Sequence, residues 1–181
     1  MAVNKVDNFA FAETAYLYHN RNIPYKQVDC QAFVERVLAD CGIYENWRGS
    51  NHMWREALDW KGTVDEAVKK WGSVPVGAWL FTVKNDGGEV KRGYHDDQGN
   101  AAHVGIFTAK GKGAMHSSTG GVQECAFPDP KRWTHVGLAK DIDYKSVPEA
   151  QYDVLDILNG MLKLCDDMIA KINILKGLDI K

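Results

Sequence analysis

Three residues of this 181-residue chain have the types and surroundings to do chemistry together: Cys30, His103 and His116. A thiol attacks a carbonyl carbon once a base has taken its proton, and a third group orients that base. After Cys30, apolar residues recur at Phe33, Val34, Val37, Leu38 and Cys41. That rhythm of threes and fours predicts a helix burying one face. Gly42 supplies a stop, and Pro24 biases the upstream chain away from helix. A cysteine in the first turn of such a helix meets unpaired N–H groups and the positive end of the helix dipole, which favour a thiolate. His103 precedes Val104-Gly105-Ile106-Phe107, and His116 follows Gly113-Ala114-Met115. A Gly-Lys-Gly turn joins the two runs, so they are expected to pair as a hairpin with the histidines side by side. One imidazole can then accept the other's N–H and fix its tautomer.

The elements that must position these residues can be read along the chain. Asp7 or Asn8 caps a first helix over 7–20, with Phe9, Ala12, Tyr16 and Leu17 on one face. Ser50 and Asn51 are expected to cap a short helix carrying Met53, Trp54, Ala57, Leu58 and Trp60. Thr63-Val64-Asp65-Glu66 has the form of a capping box opening a second helix to Trp71. From Pro75 the texture becomes β-branched and aromatic. Strands are expected over 76–83, 103–109, 113–118, 122–127 and 133–138. Asn85-Asp86-Gly87-Gly88 reads as a turn signal. Helices first, then an antiparallel sheet of about five strands, describe an α+β domain. It is expected to span residues 1–145. Residues 146–181 read as a long amphipathic helix: Leu155, Leu158, Leu162, Cys165, Ile169 and Ile172 form a seam at spacings of three and four. Such a helix serves packing, oligomer contact or tethering to a partner.

Composition narrows the function. The 45% hydrophobic and 25% charged residues are those of an ordinary globular chain. A net charge of -2 gives no reason to expect nucleic acid or an anionic membrane as partner. No apolar run is long enough to insert in a membrane. None of the four cysteines (30, 41, 125, 165) forms a C-x-x-C pair, so neither a structural zinc site nor a thioredoxin-like motif is indicated. The first residues lack a basic segment followed by an apolar run, so synthesis in the cytoplasm without a signal peptide is expected. His95-Asp96-Asp97-Gln98-Gly99-Asn100 offers oxygen ligands but not the spacing of a calcium loop.

Four motifs, in order, resemble those of the NlpC/P60 family of cell-wall cysteine peptidases. Asp29-Cys30-Gln31-Ala32-Phe33-Val34 looks like its nucleophile motif. Val74-Pro75-Val76-Gly77-Ala78-Trp79-Leu80-Phe81 is similar to its first strand, and His103-Val104-Gly105-Ile106-Phe107 to its base motif. Met115-His116-Ser117-Ser118 resembles the strand that supplies its third catalytic residue. The resemblance implies a papain-like fold, with Cys30 as nucleophile, His103 as base and His116 as orienting residue. It also implies cleavage of an amide bond in a peptidoglycan stem peptide, with no cofactor and no metal. Asp29, Gln31 and Ser117 are implied at the substrate, with Tyr25 or Tyr18 near the oxyanion. Two features depart from the family pattern. Gln31-Ala32 stands where Ser-Gly is usual, and the upstream Tyr-x-Trp-Gly-Gly loop is missing. A phage or prophage enzyme of this kind, such as an endolysin, acts on the wall after lysis or as part of a virion. An amidase or acyltransferase on the same fold, or a non-catalytic module binding through the C-terminal helix, are the alternatives.

Overall fold

The computed structural model describes residues 5–144. The expected C-terminal helix, Cys165 included, lies outside them. The described residues form a mixed α+β unit with four α-helices and a sheet of six antiparallel strands.

The helices come first. Helix α1 (Asn8–Tyr16) starts where the Asp7 carboxylate accepts the N–H groups of Phe9 and Ala10. A 3-10 turn, Leu17–Asn20, extends it. Helix α2 (Cys30–Asp40) is capped by Asp29, whose side chain accepts the Ala32 N–H at 2.8 Å. Helix α3 (Ser50–Glu56) is shorter than expected, and Gly49 rather than Ser50 takes its N-cap position. The chain then turns into a strand, β2 (Leu58–Thr63), where the sequence suggested more helix. Helix α4 (Val64–Trp71) follows at once. Its capping box is formed by Thr63 and Glu66, and Gly72 closes it in the left-handed conformation.

Five further strands complete the main sheet: β3 (Trp79–Lys84), β4 (Asn100–Phe107), β5 (Gly113–Ser118), β6 (Gly121–Ala126) and β7 (His135–Ala139). The spatial order is β2-β7-β3-β4-β5-β6. The sixth strand, absent from the expectation, is β2 paired to β7. Two residues at each end of the unit, β1 (Val6–Asp7) and β8 (Ile142–Asp143), pair in parallel and tie the start of α1 to the end of the sheet. Glu89–Tyr94 belongs to a long β3–β4 connection with a single 3-10 turn at Val90–Arg92. No described helix is long and apolar enough to cross a membrane.

Strand alternation divides the core between the two sheet faces. Trp79, Phe81, Val104, Ile106 and Met115 meet Phe33, Val34, Val37 and Leu38 of α2. Leu80, Ala114, Val136 and Trp133 pack on the other side with Ala67 of α4. Each buried Phe, Leu or Val contributes roughly 1.5–3 kcal/mol. Trp47 and Trp54 are buried, and Trp60 packs edge-to-face on Trp71 with centroids 4.5 Å apart. Trp47 and Trp54 thus belong to the core, and Trp60 and Trp71 pack partly buried against it.

Gly105 sits where this packing leaves no room for a side chain. A Cβ there would lie 2.7 Å from Cη2 of Trp133 and 2.9 Å from the Met115 carbonyl oxygen. Gly105→Ala is therefore expected to lower stability by about 1–3 kcal/mol, read as a fall in the urea midpoint at unchanged slope.

Candidate functional site

The site is built where two paired strands part. The β4–β5 ladder runs from Phe107↔Ala114 to Gly105↔His116 and goes no further. Beyond it, Ser117 turns its hydroxyl to the Val28 carbonyl oxygen, just ahead of α2. The first turn of α2 thus enters beside the opened ladder. The backbone N–H of Val104, the residue that follows His103, stands close enough to the Cys30 sulfur to pull the thiol's pKa down.

His103 is positioned from the other side. It pairs with Thr82 of β3, and the β3–β4 register slips between Thr82↔His103 and Val83↔Ala101. That slip is a bulge at Ala102, a device that bends a strand and re-aims the next side chain. The His103 ring reaches diagonally across the ladder, not straight across as expected, because Gly105 is the direct partner of His116. Nε2 of His103 lies 2.8 Å from Nδ1 of His116. Trp133 stacks on His103 at 18° with centroids 5.6 Å apart, and meets His116 edge-on. Arg132 brings Nη1 to 3.1 Å from Nε2 and 3.4 Å from Nδ1 of His116.

Burial decides the resting charges. It pushes the Cys30 thiol up, against the N–H groups of Val104, Gln31 and Cys30 itself, which pull it down; the Asp29 carboxylate adds to the rise. The N–H groups act as the sequence predicted, but desolvation outweighs them. Burial, aided by Arg132, lowers His103 to about 4. Burial, with His103 and Arg132, lowers His116 to about 3. The resting groups are a thiol at Cys30 and two neutral, mutually bonded imidazoles.

The remaining expected substrate residues divide. Tyr25 is partly exposed and lies close enough to Cys30 and Asp29 to feel their charge. Tyr18 is buried; its hydroxyl donates to Asp40 at 2.7 Å, and burial pushes its pKa up to about 12. Its aromatic ring and the Asp40 bond hold it in the core, so of the two tyrosines only Tyr25 is near the thiol. Ser117 is fully buried and its hydroxyl is taken by Val28. Asp29 is occupied as a helix cap. Gln31 donates to the Trp47 carbonyl oxygen at 2.9 Å and accepts the Gly49 N–H at 3.0 Å. It ties the 44–50 loop to the start of α2. A polar cavity of about 530 Å³, lined in part by Ser50, Lys91, Arg92 and Asn100, ends at Ala101 and Ala102, next to His103. In the 95–100 loop both Asp96 oxygens are held by Arg55 at 2.7 Å. Among the described residues no group of three or more metal-ligating side chains comes together.

Sequence reasoning missed Arg132 and Trp133 as parts of the site. They sit on the connection before β7, and only the closing of the sheet brings them to the histidines. No family model, curated protein or solved structure matches this chain.

The lowered histidines make stability depend on pH. An unfolded chain binds their protons near 6.5, whereas the folded chain resists until about 4 at His103 and about 3 at His116. His135 is lowered too, chiefly by burial. Below 6.5 the unfolded state therefore holds more protons, and stability, complete above 6.5, falls as pH drops through that window. Urea midpoints at about pH 7.5 and about pH 4.5 are expected to differ, and His116→Gln to narrow the difference.

Proposed function

We propose that this protein is a cysteine peptidase of the NlpC/P60 kind, with a papain-like arrangement of helix and sheet, that cleaves an amide bond in peptidoglycan stem peptides. The observation that carries it is one constellation. Cys30 opens a buried helix with the Val104 N–H near its sulfur, and His103, next to Val104 in the chain, is hydrogen-bonded to His116. The order of the four motifs supports the substrate class.

In this reading His103 carries its proton on Nε2 and donates it to Nδ1 of His116. Nδ1 of His103 is then left as the acceptor. It takes the Cys30 proton as the sulfur attacks the carbonyl carbon, and the oxyanion is held by backbone N–H groups, that of Cys30 among them. His103 returns the proton to the leaving amine nitrogen, the C–N bond breaks and a thioester remains. Water then gives a proton to His103 and its oxygen to the acyl carbon, and the thiol is restored as the proton goes back. Tyr25 is the side chain best placed to meet the substrate beside Cys30. Gln31, engaged with the 44–50 loop, acts by shaping the approach.

Purified cell walls provide the test. Cys30→Ala is expected to fold normally and to lose roughly a thousandfold or more of wall-lytic activity, with fragments identified by mass. The acid limb of kcat/KM should follow His103 at about 4, not the ordinary histidine value. Alkylation of Cys30 by iodoacetamide should show the same limb. Wall lysis unchanged in Cys30→Ala would end the proposal.

A further inference from the structure

We infer that Arg132 is a positioning residue of this site: its guanidinium lies over the face of the His116 ring and holds that ring uncharged, so His103 keeps a neutral partner. The role in turnover rests on the peptidase reading; the effect on the two rings does not.

The geometry comes first. A donor bonded in the ring plane to one imidazole nitrogen stands far from the other. Nη1 of Arg132 is nearly equidistant from both, at 3.1 and 3.4 Å. Only a position above the ring satisfies both distances. A cation over a π face is attracted to a neutral ring and repelled by a protonated one. Arg132 stays charged at every accessible pH.

The backbone holds Arg132 there. Its N–H and that of Trp133 both donate to the Asp129 carbonyl oxygen, at 3.0 and 2.8 Å. Its own carbonyl oxygen accepts the Thr82 hydroxyl at 2.6 Å. Thr82 is the residue paired with His103. One strand position thus faces the base and clamps the residue that controls the base's partner. The charged and titratable groups around His116 come from three elements. They are His103 on β4, Cys125 on β6, and Arg132 with Asp129 on the connection before β7. Asp129 pairs with Arg132 at 4.0 Å in a partly exposed ion pair that weakens the cation's field without removing it, and burial pushes the Cys125 thiol up to about 11. No carboxylate among these groups contacts either ring, so the balance at His116 is set by burial, the His103 ring and the Arg132 cation.

His103 needs that balance. A protonated His116 could no longer accept the His103 Nε2–H, and the Nδ1 lone pair that takes the thiol proton would lose its orientation. Arg132 therefore extends the working range of the base toward acid.

Imidazole Cε1–H resonances report this directly, and a Cys30→Ala background removes the thiol from the titration. In that protein His116 is expected to stay neutral down to about pH 4. Adding Arg132→Gln should raise its midpoint by about one pH unit, with a smaller rise at His103. Arg132→Lys, which keeps the charge, should restore most of the shift. Should Arg132→Gln not fold, Thr82→Val, which only frees the Arg132 carbonyl, should move both midpoints the same way by less. Titrations unchanged in the folded variant, or a lysine variant no better than glutamine, would overturn the inference. In otherwise wild-type protein, Arg132→Gln should raise the acid limb of wall lysis with little change at about pH 8. Shifted titrations in a protein that digests no wall would sink the peptidase reading and leave this one standing. Normal digestion with unmoved titrations would do the reverse.

Discussion

The parting of β4 from β5 is the constraint on which the rest of the site depends. A continuous ladder would bond the Val104 edge of β4 to its neighbour and leave no place for the start of a helix. Here the pairing stops at Gly105↔His116, and the Ser117 hydroxyl bonds the Val28 carbonyl oxygen instead. The freed strand edge offers its N–H to the Cys30 sulfur. The same few residues set both the strand register and the location of the thiol.

Burial and polarity oppose each other at this spot, and burial is the stronger. Three backbone N–H groups favour a thiolate, yet the desolvated sulfur rests as a thiol. The same desolvation keeps the two imidazoles neutral. The two effects would be complementary under the proposed function: a neutral imidazole is ready to accept a proton, and N–H groups near the sulfur would stabilise charge once it had moved. Trp133, stacked on His103, excludes water from one side of the pair and so strengthens the hydrogen bond it covers.

Much of this was legible in the sequence, and the failures have physical causes. The stripe Phe33-Val34-Val37-Leu38 fixed α2, and Thr63 with Glu66 announced α4, because both signals are local. The hairpin joining β4 and β5 followed from its alternating apolar residues and glycine turn. Strand β2 was hidden because the helical spacing of Met53, Trp54, Ala57 and Leu58 runs into it, and the alternation Leu58-Asp59-Trp60 is too short to stand against that. Only pairing with β7 decides between them. The bulge at Ala102 turns a straight-across histidine pair into a diagonal one, and no residue type there announces it. Tyr18 and Tyr25 are equally plausible by position; burial and the Asp40 bond take Tyr18 out of reach. Arg132 belongs to a polar connection and gains its meaning from a contact 16 residues away in sequence.

Gln31 shows how a departure from a family pattern can be structural before it is chemical. A small residue after the cysteine would leave the first turn of α2 free of side-chain ties to the loop ahead of α3. The longer amide grips that loop at both of its ends, and the loop is held a second time where Glu35, one turn further along α2, accepts the Trp47 N–H at 2.6 Å. The tryptophan-rich segment is thereby fastened to the helix that Cys30 opens. Its far end continues into α3, where Ser50 bonds the Ala101 carbonyl oxygen at 2.6 Å, one residue before the bulge that aims His103. The start of the Cys30 helix and the strand carrying His103 are therefore braced by the same segment. Under the proposed function, such a brace would hold the two groups to the small tolerances that proton transfer demands. The Gln31 amide is thus engaged in holding the wall of the site in place.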